Sequence, residues 1–170
     1  MFTSKNLGVN RLGHLTFAGL DTVELAKEYK TPLYVMDEDL IRENIRLYKK
    51  SIQEYYNGNG MPVYASKAFC CKEICRLAES EEIGLDVVSG GELYTALAAG
   101  FNPERIFFHG NNKTADELSF AVDSGVGTIV VDNLTELALL DSIAAQKGRE
   151  VNIMFRVKPG IDAHTHNFIM

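Results

Sequence analysis

One lysine of the sequence stands where its amine could act as a nucleophile. Lys67 follows the apolar run of residues 63–66, which predicts that it lies at the inner end of a strand rather than on a solvated helix face. A lysine desolvated in this way has a lowered pKa and can form a Schiff base with a carbonyl cofactor. Most lysines keep their ammonium group in water, so position alone also allows a surface role.

Polar side chains also follow the later apolar segments of the chain. They are Asp86 with Ser89, His109 with Asn111, Asp132 with Asn133, and Arg156 with Lys158. Functional groups gather at the carboxyl ends of parallel strands, so we expect these side chains to lie together at one edge of the sheet. A histidine at such a place could be a base, a ring-stacking partner or a structural hydrogen-bonding group.

Two clusters of metal-binding residue types predict no metal site. The group Asp162, His164 and His166 has a weak ligand spacing in a loop. Three cysteines within six residues, Cys70, Cys71 and Cys75, form neither a disulfide framework nor the two separated pairs of a zinc site. We therefore expect no metal, and reduced thiols packed on a helix.

The elements that position these residues alternate regularly along the chain. Apolar segments over residues 61–65, 84–88, 105–108, 127–131 and 151–157 predict strands, and residues 71–79, 91–99, 115–124 and 134–146 predict helices. Nearly continuous apolar strands that alternate with helices favour a parallel sheet buried on both faces. Ser89, Thr114 and Asn133 each stand three residues before a glutamate, a pattern that caps a helix start.

The first residues of the chain have a different pattern. Residues 21–30 predict a short capped helix, and residues 33–36 predict a strand after Pro32. A long amphipathic helix carries apolar residues from Ile41 to Tyr55 at spacings of three and four. The later strand ends, at 65, 88, 108, 131 and 157, lie 20 to 26 residues apart. This spacing fits a complete doubly wound sheet or five strands of an eightfold barrel, and periodicity does not choose between them.

Four motifs at the strand ends resemble the pyridoxal-phosphate decarboxylases of barrel fold, in the alanine-racemase-like class. They are YASKA at 64–68, GLDVVSGGEL at 84–93, FHGNNK at 108–113 and RVKPGID at 156–162, and TPLYV at 31–35 resembles a further segment of the family. The match is greatest to the branch that acts on diaminopimelate. The family usually has Asn where this chain has Phe69 and Lys158.

The resemblance implies roles for four residues and a cofactor. Lys67 falls on the lysine that forms the Schiff base with pyridoxal 5'-phosphate, while Asp86, His109 and Arg156 fall on positions that bind the cofactor or support its site. The implied reaction is decarboxylation of meso-2,6-diaminopimelate to L-lysine. Arginine, ornithine and carboxynorspermidine decarboxylases share this chemistry, and a non-decarboxylating pyridoxal-phosphate binder of the same barrel class is a further alternative. A doubly wound, non-catalytic binding module is the alternative from another class.

The resemblance also implies an α/β fold in two parts. Residues 1–36 would be the amino-terminal segment of a separate β-domain, and residues 37–170 a partial (β/α)8 TIM barrel with about five of its eight strands. The apolar ending at Met170 gives the expectation of an interrupted chain, because the family's phosphate-binding loops and substrate-reading residues lie further along. The full-length protein is expected to be a homodimer.

Composition excludes several other classes. Hydrophobic residues make up 46% and charged residues 24%, the balance of a globular protein. The formal charge of −6, without Lys/Arg blocks, predicts no nucleic-acid partner and no anionic membrane surface. No apolar run reaches the length of a membrane span, and the first residues lack a secretory signal. We expect a soluble cytoplasmic protein with a small amino-acid substrate.

Overall fold

The computed structural model describes residues 4–160, and the contacts of the chain divide it into one unit up to Gly60 and another from Met61. The group Asp162, His164 and His166 and the apolar ending at Met170 lie outside the described residues.

The amino-terminal unit contains a small antiparallel sheet and two helices. Its elements are β1 (Leu7–Val9), β2 (Leu15–Phe17), β3 (Leu20–Asp21), α1 (Thr22–Tyr29) and α2 (Glu38–Tyr55), with the strands in the order β1-β2-β3. Asp21 caps α1 as predicted, because its carboxylate accepts hydrogen bonds from the amides of Val23 and Glu24. Asp37 caps α2 by accepting from the Leu40 amide. The helix α2 confirms the long amphipathic helix that the spacing of apolar residues predicts.

The strand predicted over residues 33–36 is wrong. These four residues belong to no strand, and all four are exposed. Their types have high β-propensity, but a strand also needs a neighbour that accepts and donates ladder hydrogen bonds. No segment of residues 4–160 pairs with them.

The second unit is an α/β structure built on a five-stranded parallel sheet. Its elements in chain order are β4 (Val63–Ala65), α3 (Lys72–Ser80), β5 (Gly84–Val87), α4 (Gly90–Ala98), β6 (Ile106–Phe108), α5 (Ala115–Ser124), β7 (Thr128–Val131), α6 (Leu134–Lys147) and β8 (Ile153–Phe155). Every predicted strand and helix of this region is therefore confirmed, with ends shifted by a few residues. The strand order is β4-β5-β6-β7-β8, without the reversal that defines a doubly wound sheet. The doubly wound alternative thus does not describe this sheet.

The helices α3 to α6 cover one face of this sheet. The core consists of alternate strand residues with no exposed surface, Leu85, Val87, Ile106, Phe108, Ile129 and Val131, packed with Leu93 and Leu118 of the helices. The intervening strand residues, among them Asp86 and Phe107, are only partly buried. We expected a sheet buried on both faces, and within residues 4–160 only one face is buried. The other face carries the candidate site.

Three predicted caps fix the starts of the helices. Ser89, Thr114 and Asn133 each accept a hydrogen bond from the amide of the glutamate three residues later. Each cap follows the carboxyl end of a strand, so the helices α4 to α6 begin at the same edge of the sheet. No helix in the described part of the chain is long and apolar enough to cross a membrane.

Candidate functional site

Lys67 lies at the carboxyl end of β4. It belongs to a single turn of 3₁₀-helix, Ser66–Ala68, and its side chain is exposed. The expected desolvation of its amine is therefore wrong for residues 4–160, because the lysine lies on a turn that follows the strand end at Ala65 and is exposed. The pairing of Ala65 with Asp86 places this turn beside the end of β5.

A buried serine anchors the lysine turn to its neighbours. The hydroxyl oxygen of Ser66 lies 2.8 Å from the carbonyl oxygen of Asp86 and 2.8 Å from the carboxylate of Glu92. The same carboxylate accepts a hydrogen bond of 2.8 Å from the amide of Val88. These contacts join the turn that carries Lys67 to β5 and to α4. The sequence does not reveal this pair, because Ser66 is an ordinary polar residue after the strand predicted over residues 61–65, and the cap at Ser89 already accounts for Glu92.

Asp86 and His109 face each other across neighbouring strand ends. Their nearest side-chain atoms, Oδ2 of Asp86 and Nδ1 of His109, are 3.8 Å apart, and the two side chains are 24% and 33% exposed. Burial raises the pKa of the Asp86 carboxyl above its ordinary value, although His109 and Lys67 act in the opposite direction. The structure thus brings together three of the four predicted site residues.

Two buried atoms of this group have no hydrogen-bond partner among the described residues. They are Oδ1 of Asp86 and Nε2 of His109. Buried polar atoms are nearly always hydrogen-bonded, so these two orphaned atoms near Lys67 indicate polar groups that lack their partner in the described part of the chain. The backbone of His109 is itself fixed, because its amide donates to the carbonyl oxygen of Val87 at 2.8 Å.

Arg156 lies in a second polar group at the carboxyl ends of β7 and β8. Its guanidinium donates to the Asp132 carboxylate at 3.1 Å, and Lys158 reaches the same carboxylate at 3.4 Å. Burial of Asp132 would raise its pKa, but the two cations hold the pKa below its usual value. No hydrogen bond in the described part of the chain connects Arg156 to Lys67, Asp86 or His109.

The cysteines form no disulfide. Cys70 and Cys71 are half-buried, and Cys75 is fully buried in α3. Burial raises the pKa of the Cys75 thiol to about 12, so this thiol stays protonated and inert at neutral pH. Residues 4–160 contain no cluster of three or more His, Cys, Asp or Glu that could hold a metal ion.

Comparison with known proteins places these features in context. Residues 38–170 match the family model described as "Pyridoxal-dependent decarboxylase, pyridoxal binding domain". The diaminopimelate decarboxylase of Bacillus methanolicus is 53% identical over 162 residues, which are 95% of this chain and 37% of that protein. The enzyme of the same name from Bacillus subtilis is 47% identical and is matched over 99% of this chain and 38% of its own length.

A solved structure has the same arrangement. Diaminopimelate decarboxylase from M. jannaschii, in co-complex with L-lysine, superposes with a TM-score of 0.87 at 33% identity, over 99% of this chain and 39% of that chain. Lysine/ornithine decarboxylase from Vibrio vulnificus reaches a TM-score of 0.67 at 22% identity, a likeness of fold alone. The chain spans less than two-fifths of the length of each of these relatives.

Proposed function

The chain belongs to the family of pyridoxal-dependent decarboxylases, and from this premise we propose that the whole protein decarboxylates meso-2,6-diaminopimelate to L-lysine. The grouping of Lys67 with Asp86 and His109 at adjacent strand ends carries the proposal. The substrate follows from the relatives at 45–53% identity, which include the diaminopimelate decarboxylases of Bacillus methanolicus and Staphylococcus aureus. Neighbours named for arginine or lysine/ornithine decarboxylase are 22% identical and bear on fold alone.

The proposed fold is a partial barrel. The five parallel strands make up about five of the eight strands of a TIM barrel within residues 37–170, after a segment of a separate β-domain at 1–36. Two observations support this architecture. The strands follow one another in sequential order, as barrel strands do, and the helices α3 to α6 pack on one and the same face of the sheet. By family resemblance we also infer a cytoplasmic homodimer.

The site residues fit pyridoxal phosphate. The cofactor is a planar ring with polar substituents, and the orphaned atoms Asp86 Oδ1 and His109 Nε2 offer buried hydrogen-bonding positions for such a group. The exposed amine of Lys67 is accessible to the carbonyl that it must hold. When bound, the cofactor supplies the electron sink that accepts the electron pair left by the departing carboxylate.

The chain's own residues would hold and orient the cofactor. Lys67 retains the cofactor through its Nζ, and Ser66 fixes the turn from which that side chain projects. Asp86 would place a carboxyl group near the lysine, and burial raises the pKa of this carboxyl. His109 presents its ring from a backbone tied to β5. Arg156, oriented by Asp132, presents a guanidinium at the last described strand end.

Replacement of Lys67 tests the assignment. In the full-length protein, borohydride reduction with pyridoxal phosphate should label the peptide that contains Lys67, as read by mass spectrometry. Lys67→Ala should abolish this label and lower CO2 release from meso-diaminopimelate by on the order of 10³-fold or more. Lys72→Ala, an exposed lysine at the start of α3, is the matched control and should change neither.

Turnover by Lys67→Ala at the wild-type rate would contradict the assignment of the lysine. Assays with arginine, ornithine and carboxynorspermidine test the substrate separately. Faster decarboxylation of one of these than of meso-diaminopimelate would transfer the protein to that branch of the family.

A further inference from the structure

Lys113 is a buried cation that the sequence analysis did not single out. It lies in the loop between β6 and α5, and only 1% of its side chain is exposed. An ammonium group removed from water costs several kcal/mol unless charge and hydrogen bonds compensate for the loss. Its nearest countercharge is Glu136, whose Oε1 atom is 2.8 Å from the Lys113 Nζ and whose side chain is 5% exposed.

The ammonium group of Lys113 donates hydrogen bonds to two backbone carbonyls. Nζ of Lys113 lies 2.6 Å from the carbonyl oxygen of Gly110 and 2.9 Å from that of Val130. Two of the three donors of the lysine ammonium thus go to backbone carbonyls, and the Glu136 carboxylate compensates the charge as an ion pair at 2.8 Å, although Glu136 Oε1 has no hydrogen-bond partner among the described residues. One side chain thereby ties the loop after β6 to the end of β7 and to the first turn of α6.

The carbonyl of Gly110 is held at the residue next to His109. Gly110 has a φ of +116°, and a Cβ atom there would lie 3.0 Å from the carbonyl oxygen of Val88. The loop therefore makes a close approach to β5 that a larger residue would disturb. Two hydrogen bonds hold the backbone around His109. The His109 amide donates to the carbonyl oxygen of Val87, and the Lys113 ammonium donates to the carbonyl oxygen of Gly110.

The carboxylate of Glu136 is diverted from its usual use. Glu136 stands three residues after the N-cap of α6, where a capping-box glutamate turns back to the cap amide. Glu117, at the same position of α5, does this and bonds to the amide of Thr114. Glu136 instead pairs with Lys113. Helix capping by itself therefore does not account for this carboxylate.

We propose that Lys113 and Glu136 are positioning residues that hold the loop bearing His109 in the orientation needed to face Asp86 and the bound cofactor. The cofactor part of this inference rests on the proposed function, and the placement of the loop does not. A well-packed neutral pair often stabilises a protein as much as a buried ion pair does, so stability alone does not require these charges. Their geometric consequence is the fixed Gly110 carbonyl.

The test separates placement from stability. Lys113→Met leaves the Glu136 carboxylate buried without its cation and should lower the melting temperature of the full-length protein. The double variant Lys113→Met/Glu136→Gln buries no charge and should recover most of that loss. It still lacks the donor to Gly110. We expect the double variant to bind pyridoxal phosphate at least about tenfold more weakly than wild type, with a reduced visible circular dichroism signal of the bound cofactor.

A second readout needs no cofactor. Hydrogen exchange of the His109 amide, which donates to Val87, should be at least about tenfold faster in the double variant. Exchange of the Leu118 amide in α5 should stay unchanged. Lys147→Met breaks the exposed ion pair with Asp123 at 2.7 Å and serves as the control that alters neither cofactor binding nor His109 exchange.

The outcomes distinguish the two proposals. If wild type binds no pyridoxal phosphate while His109 exchange rises in the double variant, the proposed function fails and the positioning role stands. If the double variant keeps wild-type His109 exchange and wild-type cofactor affinity, the positioning role is overturned.

Discussion

Ser66 and Glu92 are hydrogen-bonded to each other at 2.8 Å, across the gap between the turn after β4 and the first turn of α4. Glu92 is the third residue of its helix after the N-cap Ser89. The glutamates at the same position of α5 and α6 also reach the preceding βα unit, Glu117 through the amide of Gly90 and Glu136 through Lys113. One helix-start residue in each unit thus links neighbouring units at the edge of the sheet that carries the candidate site.

The Ser66–Glu92 link is tested by Ser66→Ala. The serine is fully buried, and its loss removes a hydroxyl whose single hydrogen lies between two acceptors, the Asp86 carbonyl and the Glu92 carboxylate, each 2.8 Å away. We expect a fall of about 1–3 kcal/mol in the free energy of unfolding of the full-length protein, measured by urea denaturation. Ser51→Ala removes an exposed hydroxyl that bonds to Leu47 within α2, and should change stability by less than about 0.5 kcal/mol. Equal effects of the two substitutions would contradict a structural role for Ser66.

Glu117→Gln tests the corresponding link of α5. The backbone amides of Thr114 and Gly90 hold the pKa of the Glu117 carboxyl below its usual value. Its contribution to stability is therefore present above pH 4.5 and is lost as the pH falls through the lowered pKa of the folded state. The variant should be about 1–2 kcal/mol less stable at pH 7, and the difference should be smaller at pH 3, in urea titrations at both pH values.

Asp116→Asn provides the control for that measurement. Asp116 is exposed in the first turn of the same helix, and its substitution should cost about 0.3–1 kcal/mol through the helix dipole alone. A loss for Glu117→Gln that persists unchanged at pH 3 would show that charge is not its cause.

The sequence predicts the second unit well because its signals are local. Strand hydrophobicity, the spacing of βα units and the caps at Ser89, Thr114 and Asn133 all depend on residues close together in the chain, and all are confirmed. The β-sheet of the amino-terminal unit was not predicted in detail, since strands of two or three residues leave little periodicity.

The sequence-based predictions are wrong where residues distant in the chain determine the local structure or burial. The segment at 33–36 has strand-like residues but no pairing partner among residues 4–160. The exposure of Lys67 depends on a turn that the apolar run before it does not reveal. Lys113 lies in a polar motif that is typical of a solvated loop, and only the approach of Glu136 from the next unit makes it a buried ion pair. Neither of these two lysine environments could be read from local pattern.

The third prediction concerns Gly127, whose backbone passes close to that of Glu104 outside the candidate site. A Cβ atom at Gly127 would lie 1.9 Å from the carbonyl oxygen of Glu104, and this backbone atom cannot rotate away. Gly127→Ala should therefore lower stability by about 3 kcal/mol, measured by urea denaturation. Gly91→Ala is the matched control because its nearest neighbour would be 3.9 Å away and it lies in α4. It should be neutral or stabilising by up to about 1 kcal/mol. A Gly127→Ala protein as stable as Gly91→Ala would show that the two segments are further apart.

Asp86→Asn should separate stability from activity. Because burial raises the pKa of Asp86, the ionised carboxylate destabilises the folded protein at pH values above that raised pKa. Removing the charge should stabilise the protein by about 1 kcal/mol at pH 7. The gain should shrink as the pH falls through the raised pKa, and vanish below the ordinary value of 3.8, where aspartate is protonated in both folded and unfolded states. Thermal melts between pH 3.5 and 8 measure this profile.

Activity should change in the opposite direction. The same substitution removes the negative charge beside Lys67 and His109, and we expect CO2 release to fall by about 10- to 100-fold. Asp132→Asn is the control of opposite sign for stability. Ion pairs with Lys158 and Arg156 lower the pKa of Asp132, so its loss should destabilise the protein at neutral pH and have no effect in acid. If Asp86→Asn destabilises the protein at pH 7 as Asp132→Asn does, the orphaned Asp86 oxygen serves the fold. A gain in stability with a loss of turnover would instead mark it as a group held for the ligand at the cost of stability.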